Sequence, residues 1–381
     1  KTNNITVSNV NSFTGQAVAL TGPEIILVAN RNLIVDTGSV IRQTGNLSGA
    51  ADTLLFGNAD IVGSGDGTLL RVSSDPSAQI LRSGVSSTGT TANMVIGSGA
   101  SIIGNSVTLD STYATNLNPF ATIDGKAVNL NSGQISVQLT NPGVKQPTVG
   151  LVLTGAALGN LQSATSLSLL SYTTIDIYGT GQIGNDQLRE LSLHAGEIRG
   201  FNTGGGTAHL RAQNITIDNS ANGRFLGPVN PTLAGTLSLD ASTIRLGVNT
   251  LRVSQYANLA LNAANGLFVE GSGGLQMAGS INANVPFIAA ARSSTQAVTA
   301  GGALNIVSTG STPVQAGGLG ASLALNGDSV NLTSSIVLPS GILSVNATSG
   351  DLIIGGILSV AGTAQSFYDV TKYTNGGSIT L

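Results

Sequence analysis

Leu237-Ser238-Leu239-Asp240-Ala241-Ser242-Thr243-Ile244-Arg245-Leu246-Gly247-Val248-Asn249-Thr250-Leu251-Arg252-Val253 holds the pattern that decides the fold. A pair of aliphatic residues at alternate positions, Leu237 and Leu239, returns as Ile244/Leu246 and again as Leu251/Val253. The beat, about seven residues long, continues through Leu259/Leu261, Leu267/Val269, Leu275/Met277 and Ile281. It resumes at Leu323/Leu325 and passes through Val330/Leu332, Ile336/Leu338, Leu343/Val345 and Leu352/Ile354 to Leu358/Val360. Alternation marks strands with one buried face. Strands this short, separated by a few Gly, Ser, Thr and Asn residues, are poorly suited to wide hairpin sheets. They suit a winding chain in which each strand pairs in parallel with the one a turn later. The pattern therefore predicts an all-β fold, a parallel β-helix or β-solenoid with three short strands per coil. At roughly 22 residues per coil the chain would form roughly 17 coils and a rod roughly 80 Å long.

The same beat is legible towards the N-terminus, in Ile5/Val7, Val18/Leu20, Ile25–Val28, Leu33–Val35, Leu54–Phe56, Leu69-Leu70-Arg71-Val72, Met94–Ile96, Val107/Leu109 and Val128/Leu130. It shows no break long enough for a linker, so residues 1–381 read as one continuous solenoid segment. Leu237, Leu239, Ile244, Leu246, Leu251, Val253, Leu259 and Leu261 are the expected inward positions. Asn or Asp often follows the strand, as at Asp110, Asn131, Asp240, Asn262, Asn326 and Asn346. These side chains tolerate left-handed corners, and stacked they make hydrogen-bonded ladders. That reading gives Asp110 and Asp240 to turn-making. Excursions from the coil are expected near residues 141–148, 222–234, 308–320 and 364–377, and a turn or two of helix at Ala156–Leu161.

Composition narrows the function. Gly accounts for 51 of 381 residues, and charged residues for only 9%, against a norm of about 25%. The 41% hydrophobic content excludes disorder. With a net charge of −3 and no basic run, nucleic acid is not an expected partner. No apolar stretch approaches the length of about 18 residues that a membrane span needs. Cysteine is absent, which excludes disulfides and thiolate metal sites and suits an exported bacterial protein. The start at Lys1 and the strand-like end at Ser378–Leu381 read as cut ends of a longer exported polypeptide.

Chemistry is sparse. His194, Glu197 and Arg199 place an imidazole, a carboxylate and a guanidinium close together, as a glycan-cleaving β-helix would need. With four Glu in the chain and no paired carboxylates at coil spacing, they read instead as surface polar residues beside an inward Leu–Ile pair. Gly63–Thr68 resembles a calcium-roll turn, but such rolls share each ion between tandem repeats, and here the turn stands alone. No catalytic residue, cofactor or metal site is therefore expected. The aromatic cluster Phe367, Tyr368 and Tyr373, with Asp369 and Lys372, is the binding candidate. The competing reading folds those rings back over a coil edge or under their own loop.

Several stretches resemble the repeats of the large filamentous-haemagglutinin-like exoproteins. They include Gly22–Leu27, Gly65–Ser73, Gly104–Asp110, Leu191–Arg199, Gly235–Ala241 and Ala361–Asp369. The resemblance covers nearly the whole chain in style. It implies a right-handed parallel β-helix, exported through an outer-membrane partner barrel by two-partner secretion. It implies display on or release from a bacterial cell surface, and adhesion. That family's secretion domain carries Asn-Pro-Asn-Leu-type motifs, from which Asn118-Pro119-Phe120 departs, so the chain reads as shaft rather than secretion domain. The expected function is a non-enzymatic structural or adhesive segment of a surface adhesin, with a cell-surface or matrix glycan or protein as its partner. A self-associating filament subunit and a β-helical polysaccharide lyase or hydrolase are the alternatives.

Overall fold

The computed structural model describes residues 2–11, 15, 17–57, 65–86, 91–140, 150–161, 163–227, 232–310 and 314–381. The chain is a parallel β-solenoid of about 14 turns, 56% strand and 2% helix. That is fewer turns than a uniform short coil would give; strand Thr68–Ser73, for one, does not continue the parallel winding. By internal contacts the chain forms two compact units. The first comprises Lys1–Gly179, Ile183–Ala195 and Gly223–Leu226, the second Thr180–Gln182, Gly196–Asn222 and Gly227–Leu381.

In the second unit the aliphatic beat becomes columns of in-register neighbours. Leu237 pairs with Leu259, Leu259 with Ile281, Ile281 with Leu304, Leu304 with Val330 and Val330 with Leu352. A parallel column runs Leu251, Leu275, Val298, Leu325, Val345. A further one runs Ile215, Ile244, Leu267, Ile288, Ile336, Leu358. All eight residues expected to face inward are buried, and Leu237, Leu239, Ile244, Val253 and Leu259 are wholly inaccessible. Each such side chain contributes roughly 1.5–3 kcal/mol of transfer free energy. Leu352, Ile354, Leu358 and Val360, in the last coil, are only half-buried.

The first unit follows the same rule, with a reversal among its described strands. Val107 pairs in parallel with Val128, Val128 with Leu167 and Leu167 with Leu191. Strand Thr68–Ser73, however, lies antiparallel between Glu24–Val35 and Ser101–Ser111, with Val72 opposite both Ile25 and Val107. The sequence reading took Leu69–Val72 as one more parallel step, and that is corrected here. Every residue of this strand is buried. One face joins the core. On the other, the Arg71 guanidinium meets Glu24 Oε1 at 2.8 Å and donates to the carbonyls of Gln79 and Asp52. A short apolar strand reads the same in either direction, so only its partners reveal the reversal.

The expected helix is present as Gly155–Leu161, with Ala157, Leu158 and Leu161 buried. Residues 222–227, 232–234, 308–310 and 314–320 form no regular element. The excursion expected at 141–148, residues 228–231 and 311–313 of the two others, and Gly63 and Ser64 of the glycine-rich turn lie outside the described residues. Among the described residues no helix is long and apolar enough to cross a membrane.

Candidate functional site

The stacked Asn and Asp positions form ladders, but not at left-handed corners. None of Asp110, Asn131, Asp240, Asn262, Asn326 and Asn346 has a positive φ, and Asp110 and Asp240 lie within strands Ser101–Ser111 and Thr236–Ala241. The corner role assigned to them from sequence is therefore corrected. Parallel in-register pairing puts like positions side by side, so an amide can donate to its neighbour along the stack. Asn262 Nδ2 donates to Asp240 Oδ1 at 2.7 Å and Asn284 Nδ2 to Asn262 Oδ1 at 2.7 Å, each pair 22 residues apart in sequence. Asn305 and Asn282 repeat the arrangement at 2.9 Å. Replacing Asn262 by Ala removes the middle rung and is expected to cost about 1–2 kcal/mol. Asn262→Asp sets two carboxylates in register and should cost more at neutral pH, with partial recovery on acidification. Thermal unfolding of the two variants at two pH values checks both.

The head of this ladder also holds the most enzyme-like group among the described residues, which sequence reasoning missed. His209 Nδ1 lies 2.8 Å from Asp240 Oδ2, and Ser238 Oγ donates to Asp240 Oδ1 at 3.0 Å. The residue types suggest a nucleophile, a base and an acid. The connections do not form a relay: hydroxyl and imidazole both rest on the carboxylate, and the imidazole is not hydrogen-bonded to the hydroxyl it would have to activate. Burial works against Asp240 ionisation, but hydrogen bonds from His209, Asn262 and Ser238 outweigh it and hold the carboxyl below its usual range. The register could have revealed the pair, since His209 sits beside Ser238, but 31 residues separate it from Asp240, not one regular coil.

Glu197 and Arg199 are buried, so their reading as surface residues is corrected. They lie in strand Glu197–Phe201 of the second unit, where Glu197 is in register with Arg252. Arg199 lies over the ring of Phe201, 5.4 Å from its centroid. Tyr256, wholly buried, packs on Gly200 so closely that a Cβ there would lie 2.6 Å from Tyr256 Cζ. His194 ends strand Glu190–His194 of the first unit, beside Leu170.

In the first unit, Asp110 anchors a buried network. Arg82 Nε lies 2.5 Å from Asp110 Oδ1, and Asn131 and the Tyr172 hydroxyl both donate to Asp110 Oδ2. Burial first, then the Asp110 charge, pushes the Tyr172 hydroxyl well above its ordinary pKa. Also in the first unit, Asp75 accepts from the Ser77 hydroxyl and from the amides of Ala51 and Ser77, which hold its carboxyl at about 2. Asp75 and Asp240 are both depressed in the fold, so their stabilising contribution is complete above the unfolded value and lost as pH falls through the folded ones. The melting temperature is expected to hold down to about pH 5 and to fall between about pH 4 and pH 2. Asp75→Asn should flatten that fall, measured by calorimetry across the range.

The residues singled out for binding form a hairpin, not an irregular loop. Ala364–Phe367 and Val370–Tyr373 pair antiparallel, with Phe367 opposite Val370. Tyr368 occupies the turn at φ 53°, fully exposed, and Tyr373 is 78% exposed. These two rings do not fold back over the coil. Thr374 clasps the hairpin base: its hydroxyl accepts from the Thr363 amide at 2.8 Å and meets Ser340 Oγ at 2.6 Å. Beside it, corner turns of successive coils stack. The Ser293 amide donates to Leu319 O, Gly320 to Pro339 O and Ser340 to Ala361 O. Hairpin and corners together border an open groove of about 510 Å³. Lys372, Tyr373 and Thr374 from the hairpin and its base, and Arg292, Leu319 and Pro339 from the corners, line it. Sequence singled out Lys372 and Tyr373 but gave no sign of Arg292, eighty positions upstream.

Among the described residues no three His, Asp or Glu side chains gather in a way that would hold a metal ion. No family model, no curated protein and no solved structure matches the chain.

Proposed function

We propose that this chain is a non-enzymatic structural and adhesive segment of a large extracellular surface adhesin, wound as a right-handed solenoid with three strands per coil. The observation that carries the reading is a contrast within the second unit. Between Arg292 and Asp351 the only charged residue is Asp328, and the coil faces repeat the same small polar side chains. Against that monotony one hairpin stands out, with Tyr368 and Tyr373 in solvent. Uniform faces discriminate poorly between partners, whereas a protruding aromatic element recognises them. Absence of cysteine and the resemblance to filamentous-haemagglutinin-like repeats support export through an outer-membrane barrel and residence at the cell surface.

Beads coated with the chain are expected to attach to host cells or to a glycan array. The variant Phe367→Ala/Tyr368→Ala/Tyr373→Ala, equally folded by circular dichroism, is expected to lose most of that attachment. Equal attachment by both would remove the hairpin from the contact. Polysaccharides incubated with the chain are expected to keep their length. Cleavage that disappears in a folded His209→Ala or Asp240→Asn variant would replace the adhesive reading with an enzymatic one.

A further inference from the structure

The groove beside the hairpin has a chemical character that the rest of the region lacks. From Arg292 to Leu381 the sequence contains five charged residues: Arg292, Asp328, Asp351, Asp369 and Lys372. Both cations line the groove and none of the three carboxylates does. The two cations are eighty positions apart in sequence and come from unrelated elements, a coil corner and a hairpin strand. Both are exposed, and among the described residues no carboxylate lies within ion-pairing distance of either. Cations left without a protein counter-charge, in a concavity, attract an anion from solution.

The other walls say what kind of anion. Tyr373 offers an exposed ring face, suited to the carbon–hydrogen face of a sugar, with a hydroxyl at its tip for hydrogen bonding. Leu319 and buried Pro339 supply apolar lining, and Thr374 holds the hairpin base against Ser340, so the groove is formed before anything enters. A volume of about 510 Å³ lies in the range of small-ligand sites and takes one or two pyranose rings. The planar fork of Arg292 matches a carboxylate, with the Lys372 ammonium as a second point charge.

We propose that this groove binds a carboxylate-bearing sugar, a hexuronate or similar acidic pyranose, within a surface glycan. The inference deepens the adhesive reading and rests on it for its biological sense. The carboxylate sits on Arg292 and Lys372, and the ring lies on Tyr373.

Isothermal titration of the 381-residue chain with an oligogalacturonate tests it, beside a neutral oligogalactose and a sulfated galactan of equal length. Saturable binding of the oligogalacturonate is expected, weakening from about 50 to about 500 mM salt as screening sets in. Arg292→Gln and Lys372→Gln are each expected to weaken it about tenfold, the scale of one charge-assisted contact. Tyr373→Ala should weaken it while leaving its salt dependence unchanged. Arg211→Gln, which removes an exposed cation elsewhere in the same unit, should leave it unchanged. No binding, equal binding of the neutral oligomer, or equal loss in Arg211→Gln overturns the proposal. Tighter binding of the sulfated galactan overturns the carboxylate assignment. Attachment of coated beads to cells without oligogalacturonate binding would discard this site and leave the adhesive reading intact. Oligogalacturonate binding without attachment to any cell or glycan surface would do the reverse.

Discussion

Leu259→Asp is expected to disrupt the coils on either side of the substituted strand, at a cost of about 5 kcal/mol or more. Leu259 is wholly buried, with Leu237 and Ile281 as its in-register neighbours. Substitution removes a large apolar side chain and sets a carboxyl between stacked coils, where no cation of the columns faces it. The two costs add. In a solenoid each coil contacts its neighbours only, so damage spreads over a few turns instead of reaching the whole chain. Hydrogen exchange followed by mass spectrometry should therefore show lost protection around residues 237–284 and retained protection in the strands beyond 340. Leu259→Ala, without the charge, should show the same pattern at about 2–5 kcal/mol. Unchanged protection in Leu259→Asp would mean that this column does not face the core.

The second large effect belongs to Asp110. With Arg82 and Asp110 both almost wholly inaccessible, Asp110→Ala strands a guanidinium and leaves Asn131 and the Tyr172 hydroxyl without their acceptor. The expected cost is about 3–5 kcal/mol, because breaking a buried pair from one side leaves its full desolvation penalty uncompensated. Replacing both members, Arg82→Met with Asp110→Leu, removes the charge together with its partner and should cost less than Asp110→Ala alone. Denaturant unfolding of the single and double variants measures the difference. If the double variant is the least stable, the pair contributes more than it costs to bury.

That network shows why some of the site was hidden in the sequence. Arg82, Asp110, Asn131 and Tyr172 span ninety positions and meet because Ile80–Arg82, paired with Leu54–Phe56, presents Arg82 to Asp110 of strand Ser101–Ser111. Nothing local in any of the four announces the others. His209 and Asp240 teach the same lesson at closer range: both residues are visible in the sequence, but the irregular distance between their strands conceals their contact. Glu197 and Arg199 are a sharper case. Alternation beside Ile198 placed them outside, yet both are buried, because period-two logic assigns the inner face and says nothing of what covers the outer one.

By itself the sequence determined the repetitive part of this protein. Alternating aliphatic pairs at a short, steady interval leave one economical way to bury them, and Leu237, Leu259 and Ile281 stack as that interval requires. It also determined the Asn ladder, since equal spacing in a parallel stack brings equal residues together. Tertiary structure alone decided the rest. It set the direction of strand Thr68–Ser73, because an apolar strand has no local mark of polarity. It turned the Phe367–Tyr373 cluster into a hairpin and brought Arg292 to its side, because a groove is made by surfaces that meet, and short-range periodicity carries no information about distant surfaces.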